Sequence, residues 1–221
     1  MRYFSTDTLI QFLFVVPCVL IALTFHEFAH GYMAYKLGDP TAKNFGRLTL
    51  NPLKHLDPIG TICMIFFHFG WAKPVGVNPS YYKDTKKGMA LTAAAGPLAN
   101  LIMAFAALLI YAILHVLCIK LGFGTSVLNG VATFAQLFAI RNLCFMVFNI
   151  IPIPPLDGAK VLGMFLPNKA YYTMLRYERY SMLLIMVLSL TGVLNGIIGT
   201  GVNFFFNGII NLLNSAINLI L

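Results

Sequence analysis

The chain has 221 residues, 59% of them hydrophobic and only 10% charged, with a mean hydropathy of +0.80. Soluble domains run at ~45–50% apolar and ~25% charged, so this composition excludes an ordinary soluble enzyme and points to one compact integral membrane domain spanning residues 1–221. A net charge of +8 would suggest nucleic acid in a soluble protein; here it reports loops facing the cytoplasm and anionic headgroups of the lipid bilayer, and no nucleic-acid partner is expected.

A spanning helix needs ~20 mainly apolar residues. Five stretches qualify, at about 8–36, 88–118, 127–151, 180–199 and 201–221, which makes the expected fold an all-α polytopic membrane protein. Between residues 9 and 37 the groups that carry charge near neutral pH are His26, Glu27, His30 and Lys36. Three of them form the run HEFAH at 26–30. Such groups are expensive at membrane depth and call for a function or a partner. Histidines at i and i+4 share a helix face, where two imidazoles can hold one metal while the adjacent glutamate reaches a metal-activated water. The bland alternative is a pair of histidines and a carboxylate bonded to neighbouring helices. The run is also too long for the core of a signal peptide, so no cleaved leader is expected.

Residues 38–87 are not a simple connector. Gly38, Pro40, Pro52, Pro58, Pro74 and Pro79 punctuate it with turns. Within it, residues 59–70 are apolar but too short to span, which predicts a re-entrant or interfacial β-hairpin-like loop after the first helix. Non-helical backbone at that depth must be buried in protein or line a watery cavity. Cys18, Cys63, Cys118 and Cys144 have no CxxC spacing and read as small packing residues.

The third span runs into NIIPIPPLDG at 149–158. Pro152, Pro154 and Pro155 cannot continue a hydrogen-bonded helix, so the span should break there and free its last carbonyls. A catalytic zinc usually takes three protein ligands and leaves a fourth position for water. Asp157, just past the break, is the best candidate to complete the set. Arg141, near the middle of this span, is a functional hypothesis by its depth, though snorkelling or bonding to loop carbonyls explains it equally well. The last stretch carries Asn203, Asn207, Asn211, Asn214 and Asn218 close to one face. It could cross the bilayer, lie in its interface, or bond to a neighbouring helix or to a second copy in a homo-oligomer.

Charge placement predicts orientation. Seven basic residues fall in 38–87 and four in 152–180, against Lys120 alone in the second connection and none in the fourth. By the positive-inside rule the N-terminus is outside, both basic loops are cytoplasmic, and a fifth span would leave the C-terminus inside. HEFAH and the proline break then lie at the same depth, toward the cytoplasmic side of a multi-pass protein of the cell membrane.

Taken together, HEFAH, the NxxPxxxLDG stretch at 149–158, GPLAN at 96–100, GRLTLNP from residue 46 and GWAKPV from residue 70 resemble the site-2 protease family of intramembrane zinc metalloproteases. The matching pieces cover about residues 22–165 in the family's order. The resemblance implies one Zn2+ per chain held by His26, His30 and Asp157, with Glu27 as the catalytic glutamate. It also implies a core of three membrane helices, within about residues 8–165, and leaves the helices at about 180–221 outside that core. Asn149 is implicated in binding the developing oxyanion or the substrate backbone; capping the carbonyls freed near Pro152 explains it as well. Gly96, Pro97 and Asn100 are read as packing residues, and His55, His68 and His115 as non-ligands. The implied reaction is hydrolysis of peptide bonds in membrane-protein or signal-like segments, without an acyl-enzyme. PDZ and CBS modules found in many relatives are not recognisable. The rival readings are a metal-ion transporter, which needs no water-activating glutamate, and a non-catalytic membrane scaffold.

Overall fold

A computed structural model describes residues 6–57, 73–122 and 126–218, with side chains from residue 14 onward apart from 126 and 127. The expected hairpin-like loop at 59–70, with Cys63 and His68, lies outside the described residues. Among these the structure is helical, and four helices are long and apolar enough to cross a membrane: Phe14–Lys36, Thr85–Leu121, Leu128–Ile150 and Val193–Asn218.

Helix α1, Thr6–Lys36, ends where Gly38 adopts a φ of +102°, a left-handed conformation that an L side chain would resist. The next residue, Asp39, is fully buried. Its two carboxylate oxygens accept from the backbone N–H of Thr41 at 2.9 Å and of Asn78 at 2.7 Å. It thereby caps the short helix α2, Thr41–Asn44, and ties the far end of the loop to the foot of α1. Helix α3, Thr85–Leu121, is capped by Asp84, which accepts from Lys87 N–H, and stops at left-handed Gly122. At 37 residues it is roughly 55 Å long by the α-helical rise. That exceeds the ~30 Å hydrocarbon layer, so part of it stands clear of the bilayer.

Along α3 the burial pattern has two apolar stripes. Asn100, Ala104, Leu108 and Ala112 are buried at a spacing of four, whereas Leu98, Ile102, Ile110, Ile113 and Leu117 are exposed. An outward apolar stripe beside an inward one marks a helix whose outer solvent is lipid. Helix α4, Ser126–Ile150, breaks before Pro152 as expected. After a turn containing a cis peptide between Pro154 and Pro155, Asp157 opens the short helix α5, Asp157–Gly163. Helices α1, α3 and α4 each pack against the other two, and α5 packs on α3 and α4.

The carboxy-terminal part departs from the expected boundaries. Helix α6, Asn168–Arg176, and the thirteen-residue α7, Glu178–Leu190, precede the 26-residue α8, Val193–Asn218. The break falls at Thr191 and left-handed Gly192, φ +76°, and not near residue 200. The Thr191 hydroxyl bonds back to the Val187 and Leu188 carbonyls, and glycine just past a helix end is its common stop. Hydropathy could not select Gly192 among several glycines in an apolar run. Helix α8 lies against α3 and α4, where Val202, Ile209 and Leu213 join Leu108, Leu143 and Met146 in the main core. Gly201 permits this seating, since a Cβ there would come within 2.7 Å of Val147.

Candidate metal centre

His26 and His30, one turn apart on α1, place their Nε2 atoms 2.9 Å from each other. Asp157, at the first turn of α5, brings Oδ2 to 3.2 Å from His26 Nε2 and 3.1 Å from His30 Nε2. All three side chains are largely buried. The proline break of α4 is what turns Asp157 toward α1. Gly158 makes the turn tight enough, because a Cβ there would collide with the Ile150 carbonyl.

The other ring nitrogens reveal what this cluster can hold. His30 Nδ1 lies 2.8 Å from the Thr92 carbonyl, which can only accept, so this nitrogen carries a hydrogen. His26 Nδ1 lies 2.7 Å from Asn100 Oδ1 and donates to it. In neutral rings both Nε2 atoms then bear lone pairs, and these face each other and a carboxylate at about 3 Å. Three acceptors cannot satisfy one another; a cation among them can. Zinc with nitrogen and oxygen ligands at ~2.0–2.2 Å in tetrahedral geometry separates neighbouring ligand atoms by roughly 3.3–3.5 Å. The side chains need open by only a few tenths of an ångström, so the donor set fits zinc.

Glu27 is buried, and its Oε2 accepts from the Val75 N–H at 2.9 Å. It shares a cavity of about 420 Å³ with the two histidines, Asp157, Asn149 and Lys160. Lys160 Nζ stands 3.6 Å from Asp157 Oδ1, the oxygen turned away from the histidines. Asn149 lines the cavity, but its Nδ2 donates to the Phe145 carbonyl of its own helix at 3.0 Å; this is a backbone bond, one turn earlier than the carbonyls freed at Pro152. A second, apolar cavity of about 470 Å³ adjoins the far side of Asp157, between Pro97, Leu101, Met146 and Phe165.

The remaining sequence candidates fall elsewhere. Among the described residues, His26, His30 and Asp157 form the group able to hold a metal ion. His55 is fully buried with Nε2 bonded to the Thr49 carbonyl, and His115 packs on Tyr111. Arg141 keeps its buried Nε without a hydrogen-bond partner among the described residues. Gly96 does more than admit a close helix: a Cβ at that position would lie 2.5–2.6 Å from atoms of both imidazoles. Asn100 and the Thr92 carbonyl support the rings directly, and Asn142 bonds to Asn100. Sequence reasoning missed all three of these roles, although buried amides in membrane spans were a signal to look.

A membrane-embedded helical chain with a His-His-Asp centre beside a buried glutamate defines a class of metal-dependent hydrolase, and the comparisons with known proteins agree. Residues 114–193 match Peptidase family M50. Over 178 residues the chain is 38% identical to a Bacillus subtilis (strain 168) protein named "Putative zinc metalloprotease YwhC", covering 80% of each chain. It is 31% identical over 188 residues to a Mycolicibacterium smegmatis relative named Rip2, covering 83% of this chain and 69% of that one. A Mycobacterium tuberculosis (strain H37Rv) Rip2 is 29% identical over 193 residues, covering 84% and 70%. No solved structure matches. The chain belongs to peptidase family M50, the site-2 protease family, and is a zinc metalloendopeptidase of the membrane.

Proposed function

We propose that this protease cleaves peptide bonds within or near the membrane-spanning segments of other proteins, with His26, His30 and Asp157 holding one zinc ion and Glu27 acting as general base. The observation that carries the reading is the convergence of three lone-pair donors, at 2.9–3.2 Å, beside a carboxylate in the same cavity. Zinc bound there supplies a Lewis acid that lowers the pKa of water toward ~7 and polarises a carbonyl. Glu27 accepts the proton of the attacking water and returns it to the leaving amine. The Val75 N–H aims the Glu27 carboxylate without neutralising it. Lys160 and Asn149, on the same wall, are placed to meet the substrate backbone; Asn149 must then release or share its bond to Phe145.

Orientation follows from the basic loops: N-terminus outside, the site toward the cytoplasmic face, helices α1, α3 and α4 forming the catalytic core. Substrates are single-span or signal-like segments that reach the site through the bilayer. A lone peptide bond inside a helix is shielded by its own hydrogen bonds, so the substrate must unwind locally before cleavage. The segment 73–78, which lines the cavity beside Glu27, supplies backbone partners for the unwound chain.

The test compares purified wild type, Glu27→Gln and Asp157→Ala on membrane-spanning peptides, with elemental analysis of each. Glu27→Gln is expected to keep about one zinc per chain, since a glutamine oxygen still accepts from Val75, and to lose roughly 10²–10⁴-fold in cleavage. Asp157→Ala is expected to lose both metal and activity. Full zinc occupancy in Asp157→Ala would remove it from the ligand set, and undiminished cleavage by Glu27→Gln would remove the base.

A further inference from the structure

We infer that Asn142, which touches no metal ligand, is a positioning residue that sets the hydrogen-bonding state of His26 by orienting the Asn100 amide between them. Asn100 on α3 and Asn142 on α4 are both fully buried. Asn100 Nδ2 donates at 3.0 Å to the Ala22 carbonyl of α1 and at 3.0 Å to Asn142 Oδ1. Its Oδ1 faces His26 Nδ1 at 2.7 Å.

The two ends of an asparagine amide have nearly the same shape and opposite polarity. What lies on the nitrogen side therefore decides which end meets His26. The Ala22 carbonyl is a shared acceptor, because it also receives the backbone N–H of His26 one helical turn on. Asn142 Oδ1 is the second lock. Its own direction is held by the opposite end of the same side chain, whose Nδ2 donates to the Phe138 carbonyl at 2.9 Å.

The result is a hydrogen-bond chain of one polarity across three helices. His26 Nδ1–H donates to Asn100, Asn100 donates to Asn142, and Asn142 donates to the Phe138 backbone. Reversing the Asn100 amide would set an N–H against the His26 hydrogen and an oxygen against two acceptors. With the chain intact, the proton stays on Nδ1 and the Nε2 lone pair points at the metal position. Without Asn142, Asn100 loses half of what fixes it, and His26 can present Nε2–H instead. A neutral amide acting only as glue between helices would hold α3 to α4 and leave the ring indifferent.

The inference rests on the proposed metal centre, and the test separates the two. Detergent-solubilised full-length chain is stripped of zinc and titrated with Co2+ against a chelator, reading the d–d absorption band and thermal stability together. Partners that orient a ligating histidine typically contribute 10–100-fold to metal affinity. A loss of that size, with an altered band, is expected for Asn142→Leu. Asn142→Ser, too short to reach Asn100 and unable to crowd the core, is expected to behave the same way and decides the matter if the leucine variant does not fold. Asn142→Asp should restore wild-type binding, because a carboxyl at a buried position favours its neutral form and then presents one acceptor and one donor, as the amide does. Wild-type Co2+ affinity and band in a folded Asn142→Ser, or a loss in Asn142→Asp equal to that in Asn142→Leu, would overturn the positioning role and leave Asn142 as a packing residue. A wild-type chain that binds no Co2+ would overturn the metal centre and this inference with it.

Discussion

Adding one methyl group at residue 96 is expected to disable the metal centre. An alanine Cβ there would stand 2.5 Å from His30 Cε1 and Nε2 and 2.6 Å from His26 Cε1. Those atoms cannot swing aside, since Asn100 and the Thr92 carbonyl fix both rings from behind. Helix α3 must back away from α1, and the cost falls on the ligand geometry. Gly96→Ala should weaken zinc by about tenfold or more, on the scale of losses seen when ligand orientation is disturbed. Gly130→Ala, with nothing within 4 Å, should leave zinc unchanged. Chelator competition on the two proteins checks this, and full-affinity Gly96→Ala would show that the helices yield more easily than the packing implies. At this scale the sequence was readable where spacing itself carries the chemistry. Histidines four apart must share a face, and a proline cluster must end a helix, so His26, His30 and Asp157 could be named. Asn100 and Asn142 could not, because in a helix that is apolar on all sides no periodicity reports which neighbour an amide will meet.

Between helices, the element that closes the site is the loop segment 73–78, and it is held from both ends. Lys73 N–H bonds to the His55 carbonyl, and Asn78 N–H to buried Asp39. Val75 in between donates to Glu27. Asp39→Ala would leave the N–H groups of Thr41 and Asn78 without their acceptor, a cost of ~1–3 kcal/mol for each that stays buried. The expected outcome is faster hydrogen exchange at Val75 and Asn78, full zinc occupancy and reduced cleavage, because the base loses its aim while the ligands keep theirs. Loss of zinc in Asp39→Ala would mean that the loop supports the metal as well as the base. The turn-rich character of 38–87 was legible from its prolines and glycines. That Asp39 would be the tie was not, since an Asp before a Pro reads as an ordinary solvated turn.

For the whole molecule, the number of spans decides where the chain ends. By the α-helical rise α7 is roughly 20 Å long, too short for the ~30 Å hydrocarbon layer, while α8 at roughly 39 Å is sufficient. Exposed Met182, Leu183, Met186, Val187 and Leu190 on α7 suit a helix lying in the interface, with Arg179 in its first turn and Arg176 at the end of α6 toward the headgroups. Four such spans among the described residues would put the end of α8 on the same side as the start of α1, where five would put it opposite. With the basic loops inside, single cysteines placed at Lys86 and Lys169 in a cysteine-free background should resist an impermeant thiol reagent added to intact cells. A cysteine at Ser215, near the end of α8, should react. Labelling at Lys86 from outside would invert the orientation and move the metal centre to the outer face. Protection of Ser215→Cys together with Lys86→Cys and Lys169→Cys, each reacting once the cells are opened, would mean that residues 178–218 cross the membrane twice or not at all, so that the break at Gly192 does not set the span count.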